Sequence, residues 1–187
     1  MSKGKLFVIS GASGVGKSTV LSRVMAERSD LSFSVSATTR EPRPGEQDAV
    51  HYYFISKKQF ENMIAQDAFL EYDAHAANYY GTPIEQLEKK LSKGNVILDI
   101  EPMGAKIVRS KRPDATLIFI MPPSAAELEQ RLRSRGDTSA EQIAMRLERA
   151  EWEMDQRGWY DHIVVNDQAD ACANKILEII AQAADEK

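Results

Sequence analysis

Cysteine is almost absent from this chain: among 187 residues there is one, Cys172. An internal disulfide and a cysteine-built zinc site are therefore excluded, and a reducing compartment is the expected setting. Histidine is scarce as well, and His51, His75 and His162 have no metal-ligand spacing. Aromatic residues make up 7%. No apolar run approaches membrane-spanning length, and the run after the N-terminal lysines is too short for a signal peptide. The expected localisation is cytoplasmic. Basic charge is not in excess: the net charge is −4, which argues against broad nucleic-acid binding. Repeats and low-complexity tracts are missing too. With 43% hydrophobic and 28% charged residues, the chain has the make-up of one globular domain.

What is present alternates. Apolar runs at 5–10, 95–100, 115–121 and 161–165 read as buried strands. Helical patterns fill 17–28, 82–92 and 104–110, two stretches between 124 and 156, and the C-terminal region from about 168. This order predicts an α/β fold with a mostly parallel sheet covered by helices on both faces. Two stretches break the rhythm. Residues 33–82 are rich in Ser, Thr, Pro and aromatics, with short extended segments at 33–35 and 51–54, and read as a small α+β insertion. Residues 124–156 are arginine-rich, interrupted at Arg135-Gly136-Asp137, and read as a hinged helical lid. The core is then 1–32, 83–123 and 157–187.

The strongest motif is Gly11-Ala12-Ser13-Gly14-Val15-Gly16-Lys17-Ser18, a full match to G-x-x-x-x-G-K-[ST] between a buried strand and an amphipathic helix. Its glycines let consecutive amides face phosphate oxygens, and the helix N-terminus adds a field that favours anions. Lys17 is expected to bridge the β- and γ-phosphates of a nucleotide, and the Ser18 hydroxyl to ligate Mg²⁺. Thr19 follows in the first helical turn. The motif does not choose between hydrolase and kinase. The guanine-reading N-K-x-D of switch GTPases is missing, and the two insertions favour a small-molecule kinase.

A second set of residues suits an acceptor. Arg40 and Arg43 stand three apart beside a Pro-Gly turn, and paired guanidinium groups can grip a terminal phosphate. Tyr52 and Asn78-Tyr79-Tyr80-Gly81-Thr82 add hydroxyl donors. Glu71 and Asp99 are acids near strand ends. A carboxylate can accept from both N1–H and the 2-amino group of guanine, which adenine cannot offer. Taken alone, Arg40 and Arg43 also suit a solvated turn, and the pair Arg131 and Arg135 a solvated helix face.

The phosphate loop, the segment from Ser34 to Glu46, His51-Tyr52-Tyr53-Phe54, the stretch through Glu71, Asn78 to Thr82, Ile97 to Glu101, Met121 to Ser124, Arg131 to Gly136 and Ile163 to Asp167 together resemble the guanylate kinase family over essentially the whole length. The resemblance implies ATP-dependent phosphorylation of GMP, with dGMP as a second acceptor, in purine nucleotide metabolism, with Mg²⁺ and lid closure. It implies that Arg40, Arg43, Tyr52 and Tyr80 hold the GMP phosphate, and that Ser36, Glu71 and Thr82 read guanine. Asp99 would lie near the base and the metal's waters. Arg131, Arg135 and Arg146 would be lid arginines acting with Lys17 and Arg40 on the transferring group, and Asn166 would adjoin the adenine of ATP. The expected partners are small molecules, with no nucleic acid and no membrane.

Two places depart from the family pattern. Pro102-Met103 precedes Gly104 where Gln is common, and Ala76-Ala77 precedes Asn78 where Gly is common. Scaffold relatives with degraded phosphate loops exist in this family, but Lys17 and Ser18 are intact here. Tyr79, Trp152, Trp159 and Cys172 are expected to pack rather than to bind.

Overall fold

In strand β1 (Leu6–Gly11) four consecutive side chains, Leu6 to Ile9, are fully buried. Such a run has no polar face, so both sides of the strand must be covered, as in a parallel sheet. The computed structural model describes residues 3–75, 77–134 and 139–185. They form two compact units. One gathers residues up to Leu6, Asp30–Asp99 and Met103–Ala115; the other gathers Phe7–Ser29, Ile100–Pro102 and the chain from Thr116 onward.

In the second unit β1 pairs in parallel with β8 (Thr116–Met121), and β8 with β9 (His162–Val165). The helix α1 (Lys17–Glu27) buries Val20, Leu21 and Val24. It packs against α7 (Ala169–Asp185), whose Cys172, Ala173, Ile176, Ile179 and Ile180 make a stripe at helical spacing. Between β8 and β9 the chain forms α5 (Ala125–Arg133), α6 (Ala140–Asp155) and a single 3₁₀ turn over Gln156–Trp159. Ser139 and Gln142 cap α6 reciprocally. Among the described residues no helix is long and apolar enough to cross a membrane.

In the first unit β2 (Leu31–Phe33) pairs in parallel with β7 (Asn95–Asp99). Residue 33 thus ends a strand of this parallel pair; the expected strand at 33–35 starts two residues earlier. A separate four-stranded sheet has the order β4-β3-β6-β5, built from β3 (Ala37–Thr38), β4 (Tyr53–Phe54), β5 (Phe69–His75) and β6 (Asn78–Pro83). Its core is aromatic. Phe60, on α2 (Lys57–Ala65), stacks on Phe69 at 4.3 Å and on Tyr79 at 5.1 Å. Each aromatic pair adds about 0.5–1.5 kcal/mol beyond burial. Tyr79 packs, as expected.

The strand β6 runs to Pro83, so α3 (Ile84–Leu91) begins two residues later than the sequence pattern suggests. Pro102 is the first residue of α4 (Pro102–Lys111), where its fixed φ and missing N–H suit a helix start. Trp152 is 45% exposed on α6, which corrects the expectation that it packs. Trp159 does pack, stacked on Tyr160 at 4.4 Å.

Candidate functional site

The turn from β1 into α1 is held open by backbone conformation. Gly14 and Gly16 have φ of 85° and 92°, in the left-handed region. A Cβ on Gly14 would stand 2.5 Å from Leu132 Cδ2, so that side chain would have to shift, and the positive φ itself favours glycine there. The Val15 N–H closes the turn on the Ala12 carbonyl at 3.0 Å. Lys17 is half-buried at the first position of α1, with Ser18 and Thr19 exposed behind it. This is an amide-lined helix N-terminus with a lysine and a hydroxyl beside it, the chemistry of a polyphosphate seat.

Two residues from distant parts of the chain brace this loop. The amide of Asn166 donates to the Val15 carbonyl at 2.7 Å. Asn166 is 4% exposed, and its Oδ1 has no hydrogen-bond partner among the described residues. Arg131, on α5, donates through Nη1 to the carbonyls of Asn166 (2.9 Å) and Val15 (3.4 Å), and through Nη2 to that of Asp167 (3.2 Å). Its Nε donates to Glu127 at 3.0 Å. Arg131 is thus docked on backbone carbonyls rather than spread on a solvated helix face. Arg146 is exposed on α6. Arg135 lies outside the described residues.

The acceptor candidates gather in the other unit. Arg40 and Glu46 form a fork: Nη1 donates to Oε2 and Nη2 to Oε1, each at 2.9 Å. The Arg43 amide N–H donates to the same Oε2 at 2.8 Å, while the Arg43 side chain is exposed. These bonds, chiefly that from Arg40, hold the Glu46 carboxyl well below its usual range, at about 2. The guanidinium of Arg40 lies over the Tyr52 ring at 5.5 Å and the Phe54 ring at 5.8 Å. The rings of Tyr52 and Tyr80 meet edge-on at 6.1 Å. Burial pushes the Tyr52 phenol upward, with the charges of Tyr80, Asp99 and Glu46 raising it further and that of Arg40 opposing. No role for Glu46 follows from sequence spacing, because its bond to Arg40 spans six residues and depends on the fold of the Pro-Gly turn.

Glu71 owes its position to an irregularity. The register of β5 against β6 shifts between Phe69 and Tyr72. Phe69, Leu70 and Glu71 are consecutively buried at this irregularity. Gly81 lies opposite, where a Cβ would come within 2.9 Å of Tyr72 Cβ and 3.0 Å of the Glu71 carbonyl. Glu71, 6% exposed, accepts the hydroxyl of buried Thr82 at 2.5 Å. Ser36 is half-buried, its carbonyl accepting from Tyr53 N–H at 2.9 Å. Asp99 closes β7 and is exposed.

A family model described as guanylate kinase matches residues 3–183. A guanylate kinase of Thermus thermophilus is 48% identical over 179 residues, which is 95% of this chain and 81% of that one. That of Pasteurella multocida is 48% identical over 171 residues, covering 89% and 82%. A crystal structure of guanylate kinase from Anaplasma phagocytophilum superposes over all of this chain and 89% of that one, with a TM-score of 0.78 at 29% identity. A gluconokinase structure from Sinorhizobium meliloti, at 17% identity and a TM-score of 0.53, shares the fold alone. The likeness thus spans both the lysine-bearing anion turn and the unit that buries Glu71, and it places the chain in the guanylate kinase family.

Proposed function

We propose that the protein transfers the γ-phosphoryl group of ATP to GMP, giving ADP and GDP, the activity its family membership carries, with dGMP as a second acceptor. The observation that carries the choice of base is the buried carboxylate of Glu71, already oriented by the Thr82 hydroxyl. A carboxylate there accepts from N1–H and the 2-amino group of guanine, and a base without that donor pair leaves it unpaired at high cost. Ser36 lies in the same unit as a further polar contact for the base, and Asp99 as an acid near it.

The Arg40–Glu46 fork presents a fixed cation to the GMP phosphate. Arg43, Tyr52 and Tyr80 add charge and hydroxyl donors. An oxygen of that phosphate attacks the γ-phosphorus as the bond to the β-phosphate oxygen breaks, so no strong protein base is required. Positioning and charge neutralisation supply the rate.

ATP is held by residues 11–19, its phosphates on the loop amides and Lys17, with Asn166 toward the base. The exposed Ser18 hydroxyl in the first turn of α1 is a hard oxygen donor that fits Mg²⁺, which keeps most of its ligands as water and phosphate. When bound there, the ion neutralises charge on the phosphates. Arg131 and Arg146, together with Arg135, supply cationic charge to the transferring group. Residues 124–156 act as the lid that excludes water.

The test is a coupled assay with ATP, Mg²⁺ and each of GMP, dGMP, AMP, UMP, CMP and dTMP. ADP formation with GMP and dGMP alone is expected. Turnover of another monophosphate, or of none, overturns the reading.

A further inference from the structure

The phosphate loop is braced from a third direction. The amide N–H of Ser13 donates to Glu153 Oε2 at 2.6 Å, across 140 residues of sequence. Glu153 stands in the last turn of α6 and is 3% exposed. Its other oxygen accepts from Arg149 Nε at 3.1 Å, one helical turn earlier. Arg149 in turn donates through Nη2 to Glu101 at 2.5 Å. Burial pushes the Glu153 carboxyl upward, while the Ser13 amide and Arg149 work against that rise. A carboxylate kept in such a place costs free energy to desolvate, and it is tolerated only because both oxygens are bonded.

The bonded partner is the informative part. Ser13 lies between Gly11 and Gly14, in a stretch where glycine leaves the backbone free to adopt several conformations. The peptide that carries this N–H joins Ala12 to Ser13, one residue before Gly14 at φ 85°, so holding it fixes the point from which the following amides leave the turn. A bond to an ionised acceptor is roughly twice as strong as one between neutral groups. One such bond, made from a helix outside the loop, restricts that peptide plane where the loop's own sequence does not.

We infer that Glu153 is a positioning residue for the phosphate loop: its carboxylate fixes the Ser13 peptide, keeps the following amides aimed at a polyphosphate, and thereby sets affinity for the triphosphate donor rather than for the acceptor. This rests on the reading that the loop holds ATP. Arg149 keeps the carboxylate paired and turned toward the loop.

The experiment measures ATP affinity by calorimetry, together with KM for ATP and for GMP, in the parent protein and in Glu153→Ala and Glu153→Gln. In Glu153→Ala the dissociation constant and KM for ATP are expected to rise about tenfold, with KM for GMP within about twofold, since one strong bond to the loop is lost. In Glu153→Gln, which keeps the volume and one acceptor oxygen, the rise for ATP is expected to be only about threefold. If the alanine variant does not fold, the glutamine variant decides alone. Unchanged ATP affinity in a folded variant overturns the inference. So does an equal loss for ATP and GMP, which marks a general structural role. If the parent protein turns over no GMP, the proposed function fails, while the calorimetric ratio for ATP still judges Glu153.

Discussion

The carboxylate of Glu46 holds the guanidinium of Arg40 by two parallel N–H···O bonds of 2.9 Å, closing the turn that begins at Glu41. The same carboxylate takes the Arg43 amide, so one acid orders both ends of the loop. Arg40 retains an aromatic floor of Tyr52 and Phe54. Its side chain is 15% exposed, so it is aimed before any phosphate arrives. Pre-ordering of this kind lowers the entropy cost of binding an anion.

Glu46→Gln should therefore weaken GMP more than ATP. The expected change is a rise of about tenfold in KM for GMP with KM for ATP within about twofold, because a charge-assisted fork is replaced by a single neutral acceptor. The acid dependence has a definite sign. The folded carboxyl sits at about 2 against an ordinary 4.5, so its contribution to stability is fully present above about 4.5 and is lost as pH falls toward 2. Thermal melts of the parent and of Glu46→Gln should differ above pH 4.5 and converge below it. A gap that widens in acid would contradict the assignment.

Glu71→Gln addresses the base. The amide keeps one acceptor for Thr82 but loses the second acceptor that faces a guanine edge. The expected loss in kcat/KM for GMP is about 100-fold, within the range seen when a polar site loses its partner. Circular dichroism and the melting temperature should stay close to those of the parent, since Thr82 can still donate. Parent-like kinetics with GMP would remove guanine recognition from this residue.

Lys17→Met removes the cation from the phosphate loop while keeping the side-chain length. The turn itself rests on Gly14, Gly16 and the Val15-to-Ala12 bond, none of which involves the lysine side chain. Turnover is expected to fall by about three orders of magnitude, the scale of one cation acting on a transferring phosphoryl group. The melting curve should be unchanged. Near-normal turnover would sink the assignment of the loop.

Ala77→Gly should stabilise the fold. Ala77 has φ 67°, in the left-handed region, just before β6 begins. An L-residue pays about 1–2 kcal/mol there. Glycine avoids that strain but loses more entropy on folding, which leaves a net gain of about 0.5–1 kcal/mol. For a domain of this size the melting temperature should rise by about 1–4 °C. A lower melting temperature would contradict the strain argument.

Much of the parallel framework was legible in the chain itself, because its signals are local. The apolar runs Val96–Leu98 and Leu117–Met121 have no polar face to offer solvent, and the strands that hold them, 95–99 and 116–121, lie within one residue of their expected bounds. The phosphate loop was equally legible, since glycines, lysine and serine must follow one another for the turn to work. Helix α2 and the strands β3, β5 and β6 were not read out individually. They are short, and aromatic packing around Phe60 rather than periodicity defines them.

The bonds that aim the functional side chains came from tertiary structure alone. Glu71 faces inward because the β5 register shifts beside Gly81, and a shift of register leaves no mark on composition. Arg131 reads, with Arg135, as part of a solvated helix face, yet its guanidinium nitrogens dock on carbonyls of residues 15, 166 and 167. Glu153 meets Ser13 across 140 residues, a pairing that no local pattern marks. Neighbouring residues are enough to mark most strands of the parallel sheet, the loop that carries the glycine-lysine-serine motif and the family the chain resembles, because each of these is written locally. Which carboxylate clamps which arginine, and which one steadies the loop, was decided only in three dimensions. Those bonds join residues 6 to 140 positions apart, and their strength depends on the burial and geometry that folding alone creates.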